Sequence, residues 1–288
     1  MGRLMLEFWI AIVVAVAGWW FFTGLVLWCV HLPRRYHDAL FRVASIIFIS
    51  ALALTPWITA KTTVSGIVMS FTLAIVLWGW LELGYLIDKV GGLHKRACPP
   101  GASLLQRFRT GLGTCIYHEL GVVITGVLLA ILADGGVSSV AFWTYSTLWL
   151  MRWSAKINLI LGVRNYNRDW LPATLQYVDS YIQRRNMNLL FPASMALSVW
   201  VLVEIVTRAH ASVLVHEQIG YTLVATLVSL GALEHIFLML PLGEGRLWDW
   251  ASPTKSASGF GPLALNGQSP AAPICSETFQ VDIQAKNS

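Results

Sequence analysis

Six ionisable side chains lie inside long apolar stretches of this sequence. They are Glu82, His118, Glu119, Lys156, Glu234 and His235. An ionised group in hydrocarbon costs roughly 2.5–3.5 kcal/mol on insertion scales, so such groups generally face a bundle interior and have a partner. Carboxylates and imidazoles can carry protons or bind metals, and a basic side chain can hold an acidic group. What these six groups do depends on the helices that position them.

The composition is that of a membrane protein. Of the 288 residues, 56% are hydrophobic and 12% are charged, whereas about 25% are charged in a typical soluble domain. Fourteen Trp agree with this class, because Trp concentrates at lipid–water interfaces. The net charge of +5 comes from basic residues in short loops between apolar runs, so it does not indicate nucleic-acid binding.

The hydropathy pattern predicts an all-α, polytopic bundle of about seven transmembrane helices within residues 1–250. Each apolar run has about the 20 residues that a bilayer core of roughly 30 Å requires. The approximate spans are 8–30, 39–58, 64–87, 113–133, 138–161, 192–208 and 218–241.

Charge in the loops predicts the orientation. The loops after the first, third and fifth spans hold eleven Lys and Arg, against three on the other side. By the positive-inside rule, the basic loops are cytoplasmic. We therefore expect a multi-pass protein of the bacterial inner (cytoplasmic or intracytoplasmic) membrane, with its N-terminus outside and its C-terminus in the cytoplasm.

Two segments are not predicted to span. Residues 171–186 place Leu171, Leu175, Val178 and Ile182 at helical spacing, which predicts an amphipathic helix on the cytoplasmic interface. An ordinary helix docked on the protein is the alternative. Residues 251–288 are rich in Ser, Pro, Gly and Ala without apolar periodicity, which predicts a disordered cytoplasmic tail.

Topology places the six groups at one depth, which we call the polar layer. Each lies five to seven residues from the cytoplasmic end of its span, or roughly 7–11 Å below that boundary at 1.5 Å per residue. Arg152 lies one turn from Lys156 on the same face, and Asn158 lies nearer the surface. We expect these side chains to converge across four helices.

Three interpretations of the polar layer remain open. In the first, Arg152 and Lys156 pair with the carboxylates and lock the helices together. In the second, the layer binds a ligand such as a tetrapyrrole, with imidazole on its metal and a cation on its propionates. A bare metal site is the third, but two of the candidate ligand pairs are adjacent residues that point about 100° apart on a helix. We assign no metal ligands and no catalytic residues, since the sequence contains no Walker loop, nucleophile elbow, dinucleotide fingerprint or HExxH.

A long motif follows the fifth span. Residues 180–194 read SYxxRRxMNLLFPxS and are preceded by Tyr177, and further matches lie at 117–120, 149–163 and 233–235. Over about residues 115–245, the chain resembles the PuhE-type photosynthetic complex assembly proteins of purple bacteria. This resemblance implies an inner-membrane protein for assembly of the reaction centre and its light-harvesting antenna. It also implies a role in bacteriochlorophyll supply, so the candidate ligand is bacteriochlorophyll or a precursor.

We therefore consider three alternative functions. The first is an assembly factor that handles bacteriochlorophyll or a nascent subunit, in contact with the lipid bilayer and with reaction-centre or light-harvesting subunits. The second is a membrane enzyme that acts on a tetrapyrrole or an isoprenoid, and the third is a proton-coupled transporter. The basic loops offer a docking face for a partner or anionic lipid, for which the candidate residues are Tyr181, Arg184, Arg185 and Asn188.

Overall fold

The computed structural model describes residues 2–166, 171–240 and 244–251, and within these ranges the protein is an all-α bundle without a β-strand. Eight α-helices follow one another along the chain. They are α1 (Gly2–His31), α2 (His37–Thr59), α3 (Val64–Leu86), α4 (Leu104–Gly113), α5 (Ile116–Ala133), α6 (Val140–Leu161), α7 (Leu190–Ala211) and α8 (Val215–Met239). Three short 3-10 helices, Arg34–Tyr36, Ala173–Tyr181 and Glu244–Ala251, complete the described elements.

Six helices in the described part of the chain are long and apolar enough to cross a membrane: α1, α2, α3, α5, α7 and α8. The sequence also predicts a span at 138–161, where α6 lies. This helix has 22 residues but is less apolar, because it carries Arg152, Lys156 and Asn158. It packs against α3, α4, α5, α7 and α8, and Asn158 is buried in these contacts. Whether α6 crosses the bilayer stays a prediction.

The core is organised around α3, half of whose span is buried. One apolar cluster, which includes Leu77 and Leu81, packs α3 against α2, α5 and α6. A second, which includes Phe71 and Leu223, packs α3 against α1 and α8. By contrast, only 6% of the span of α2 and 11% of the span of α7 is buried. These two helices therefore present most of their apolar surface outward, as expected of helices that face lipid.

Three local differences from the sequence prediction have physical causes. The predicted fourth span starts later, at Ile116, because a separate short helix, α4, precedes it and ends at Gly113. Ser103 caps α4 by accepting a hydrogen bond from the Gln106 backbone N–H. The amphipathic helix predicted over 171–186 is instead a 3-10 helix of nine residues, Ala173–Tyr181. Of the predicted tail at 251–288, residues 252–288 lie outside the described part of the chain.

The C-terminal 3-10 helix Glu244–Ala251 packs on α1, an arrangement that the sequence did not suggest. The indole N–H of Trp20 donates to the Leu247 carbonyl at 2.9 Å, and that of Trp248 donates to the Trp20 carbonyl at 3.0 Å. Trp19 and Trp248 meet edge to face with ring centres 5.3 Å apart. These contacts bring two Trp from opposite ends of the chain to one place.

Candidate functional site

A cavity of about 410 Å³, which we call the cleft, opens between α1, α3, α4, α6 and α8. Ligand pockets in proteins usually measure about 300–1,000 Å³. Its walls are largely apolar, and their aromatic side chains include Trp19, Trp78, Tyr85, Trp153 and Trp248. Five members of the predicted site, Glu82, Glu119, Arg152, Lys156 and Glu234, also line it. The cleft is thus a mainly apolar cavity with aromatic and charged side chains in its lining.

The first ion pair on the cleft wall joins α6 to α3. Arg152 Nη2 donates to Glu82 Oε2 at 3.0 Å. The Glu82 side chain is 12% exposed, whereas that of Arg152 is 44% exposed and lines the cleft. The carboxylate therefore lies behind the guanidinium, which faces the open space.

The second ion pair lies one turn along α6 and joins it to α5. Lys156 Nζ donates to Glu119 Oε1. This pair satisfies a carboxylate that is almost fully buried, and an unpaired carboxylate at this position would be costly. Arg152 and Lys156 thus act first as partners for the two acidic residues, as the locking interpretation requires.

His118 lies behind the cleft between the two ion pairs. Its Nδ1 donates to Glu119 Oε1 at 3.4 Å, and its Nε2 lies 4.0 Å from Glu82 Oε1. The ring is buried and is 5.1 Å from the Tyr85 ring, centre to centre. Because Tyr85 and the carboxylates stand between His118 and the open space, this imidazole is not placed as an axial ligand for a pigment in the cleft.

Glu234 reaches the cleft from the other side. Its Oε1 accepts a hydrogen bond from Trp19 Nε1 at 3.0 Å, so α8 is tied to α1. The Glu234 side chain is exposed to the cleft, and Arg152 lies close enough to interact with it electrostatically. One guanidinium therefore interacts with two carboxylates, Glu82 on α3 and Glu234 on α8.

The structure separates His235 from the other members of the polar layer. Its Nδ1 lies 2.7 Å from the Gly231 carbonyl, which can only accept, so Nδ1 carries the proton. Its Nε2 then accepts from the Ser154 hydroxyl at 2.8 Å. Ser154 also contacts Ser194, and Asn158 Nδ2 donates to Ser194 Oγ at 3.3 Å. These residues connect α6, α7 and α8 through hydrogen bonds on the far side of α6.

Helix geometry explains this division. Arg152 and Lys156 are four residues apart and share one face of α6, whereas Ser154 lies two residues from each, about 200° around the helix. Likewise, Glu234 and His235 are adjacent and diverge by about 100°. Residues predicted at one depth therefore form two separate clusters. One is an ion-paired cluster on the cleft, and the other is a neutral hydrogen-bonded cluster behind it.

Two of the four predicted docking residues are inside the protein. Asn188 is buried, and its carboxamide oxygen caps α7 by accepting from the backbone N–H of Leu190 and Phe191 at 2.9 and 3.0 Å. Tyr181 is also buried and donates to the Arg96 carbonyl at 3.0 Å. Burial raises the pKa of this phenol, so it remains a donor. Arg184 and Arg185 are exposed, and they alone of the four face outward.

The residues that sequence reasoning missed are mostly aromatic or small. Trp19 and Trp248 form part of the cleft wall, but in sequence they look like ordinary interface anchors. Ser154 and Ser194 lie within the motif stretches 149–163 and 180–194, but sequence reasoning assigned neither of them a role. Among the described residues, no group of three or more His, Cys, Asp or Glu is arranged to hold a metal ion.

Comparisons with known proteins place this architecture in a family. The profile of DUF3623, described as a protein of unknown function, matches residues 5–258. A protein of Rhodobacter capsulatus named "Uncharacterized 30.4 kDa protein in puhA 5′ region" is 34% identical over 254 residues. The match covers 85% of this chain and 91% of that protein. No solved structure matches the chain.

Proposed function

This chain belongs to the DUF3623 family, and we propose that it is an assembly factor of the bacterial photosynthetic complex that holds bacteriochlorophyll or a precursor in its cleft. The protein works within the inner membrane and delivers pigment to reaction-centre or light-harvesting subunits. Its role is to bind and present the pigment rather than to convert it.

The cleft is the observation that carries this proposal. A volume of about 410 Å³ with ten aromatic side chains in its lining, four of them Trp, suits a flat, apolar molecule, because aromatic side chains offer large rigid surfaces for stacking. The cleft opens within a bundle of membrane-spanning helices. A pigment that partitions into the bilayer can enter such a site without passing through water.

Two further observations support the setting in photosynthesis. The motif at 180–194 resembles that of PuhE-type assembly proteins. The name of the Rhodobacter capsulatus relative puts it in the 5′ region of puhA, which agrees with the resemblance. Arg184 and Arg185 are exposed, and the positive-inside rule puts them on the cytoplasmic side, where a partner subunit or anionic headgroups can dock.

Purification from photosynthetically grown cells tests the proposal. The tagged protein is isolated in mild detergent, its absorption spectrum is recorded and bound subunits are identified by mass spectrometry. We expect a bound tetrapyrrole and at least one subunit of the photosynthetic complex. A preparation that is folded but contains neither would contradict the proposal.

A variant that fills the cleft makes the test specific. Gly79 lines the cleft, and a Cβ at this position would meet no atom within 4 Å. Gly79→Phe therefore introduces its Cβ without a clash and adds a ring at the cleft wall, and we expect it to abolish pigment recovery. Val203→Phe, on the outward surface of α7, is the matched control and keeps the pigment.

A further inference from the structure

The cation that lines the cleft is only partly used by the protein. Arg152 is 44% exposed although it lies inside α6, and within the described part of the chain one of its N–H groups is hydrogen-bonded, to Glu82. A guanidinium has five N–H donors. Several donors thus face the cleft, where the low dielectric makes an unmet hydrogen bond costly.

Two further hydrogen-bond donors lie near Arg152 on the same side of the cleft. Lys156, one turn along α6, is 23% exposed and has Glu119 as its partner. Trp153 also lines the cleft, and its indole nitrogen is buried without a hydrogen-bond partner among the described residues. This wall therefore offers donors and positive charge beside the aromatic surfaces.

We propose that the cleft selects a tetrapyrrole with a free carboxylate, and that Arg152 binds this carboxylate. The inference rests on the proposed function and narrows its ligand to the unesterified acid, as opposed to the pigment esterified with its long alcohol. Planar guanidinium pairs with carboxylate through two parallel N–H···O bonds. An ester has no charge and offers a weaker acceptor, so it cannot replace this interaction.

Glu82 and Glu234 determine where the carboxylate of the ligand would lie in the cleft. Glu82 is behind Arg152 and fixes the orientation of the guanidinium. Glu234 faces the same cleft from α8, anchored by Trp19, and it repels a second carboxylate. The ligand's acidic group is therefore directed to the α6 side of the cleft, and its macrocycle lies against the Trp-lined walls.

A binding experiment with two probes tests this selectivity. The full chain is placed in nanodiscs of neutral lipid and titrated with bacteriochlorophyllide a and with bacteriochlorophyll a, following quenching of Trp fluorescence. We expect the free acid to bind roughly 10–100-fold more tightly, since a hydrogen bond to a charged group contributes about that factor. Glu234→Gln removes the repulsion and increases the affinity for the acid several-fold without changing that for the ester.

The variant that removes the guanidinium must keep the buried charge balanced. In Arg152→Gln with Glu82→Gln, both members of the pair become neutral, so no carboxylate is left unpaired. We expect this double variant to lose the preference for the acid and to bind both probes with the affinity of the ester. The matched control is Arg208→Gln with Glu204→Gln, an exposed Arg–Glu pair on α7, which retains the preference.

The outcomes separate the inference from the function on which it rests. Equal affinities of the wild-type protein for acid and ester would overturn the inference but leave the proposed function intact. Preference for the acid that survives in the Arg152 and Glu82 double variant would also overturn it, because another group would then hold the carboxylate. Binding of neither probe would contradict both proposals.

Discussion

Ser154 donates a hydrogen bond to His235 Nε2 at 2.8 Å, behind the wall of the cleft that carries the ion pairs. His235 is 2% exposed, and its other nitrogen is bonded to the Gly231 carbonyl. Both ring nitrogens are therefore used inside the bundle, in contacts that hold α8 against α6. This arrangement supports a structural role for the histidine, and the proposed ligand site lies on the opposite face of α6.

Replacement of His235 should lower the stability of the protein without changing ligand binding in the cleft. His235→Ala removes the hydrogen bond to the Ser154 hydroxyl and leaves a cavity between α6 and α8, which we expect to cost about 1–3 kcal/mol. The measurement is the thermal unfolding midpoint in detergent, together with pigment binding below that temperature. His210→Ala, an exposed position near the end of α7, should leave the midpoint unchanged. Loss of pigment binding by a still-folded His235→Ala would disprove the structural assignment.

The pair of Lys156 and Glu119 should behave as a coupled unit. Lys156→Met leaves the buried Glu119 carboxylate without its cation, and Glu119→Gln leaves the Lys156 ammonium without its carboxylate, so we expect each to lower stability by about 1–3 kcal/mol. The double variant removes both charges and should recover most of the loss. Unfolding midpoints of the four proteins form a double-mutant cycle. Additive effects would show that the two groups do not interact.

Gly24 is required for the C-terminal 3-10 helix to pack on α1. A Cβ at this position would lie 2.1 Å from Trp250 Cζ2 and 2.7 Å from its Cη2, well inside contact distance. Gly24→Ala should therefore displace Glu244–Ala251 from α1 and open the chain near residue 240 to proteolysis. At Gly18 on the same helix, the nearest atom would be an ordinary 3.7 Å away. Gly18→Ala is thus the control and should remain resistant.

Orientation and the number of crossings can be measured together by cysteine labelling. In a background in which Cys29, Cys98, Cys115 and Cys275 are all replaced by Ser, single cysteines replace Val137, Ala97 and Asn186, all exposed loop residues. The positive-inside rule predicts that an impermeant maleimide labels Val137→Cys in intact spheroplasts, and Ala97→Cys only after lysis. If α6 crosses the bilayer, Asn186→Cys follows Ala97→Cys. Labelling of Asn186→Cys in intact spheroplasts would show that α6 does not cross.

The helices of this protein were largely predictable from the sequence, because their determinants are local. A run of about 20 apolar residues satisfies its own backbone hydrogen bonds only as a helix in a bilayer, and α3 at Val64–Leu86 lies within one residue of its predicted span. Where local signals were weak, the prediction was wrong: α4 was missed, and 173–181 forms a 3-10 helix. The conformation of such short segments depends on what they pack against.

The candidate site shows the same difference between what local sequence determines and what tertiary packing determines. The sequence alone determined which side chains are costly to bury, and hence that Glu82, Glu119 and Lys156 need partners inside a bundle. Only the tertiary structure decided the partners: Arg152 with Glu82, Lys156 with Glu119, and His235 with Ser154. The depth of a side chain follows from counting residues along its own helix. The direction in which that side chain points depends on the rotation of the helix about its axis. That rotation is set by side-chain packing between helices far apart in the chain, and it is why one polar layer became a cleft with two ion pairs and a separate neutral cluster.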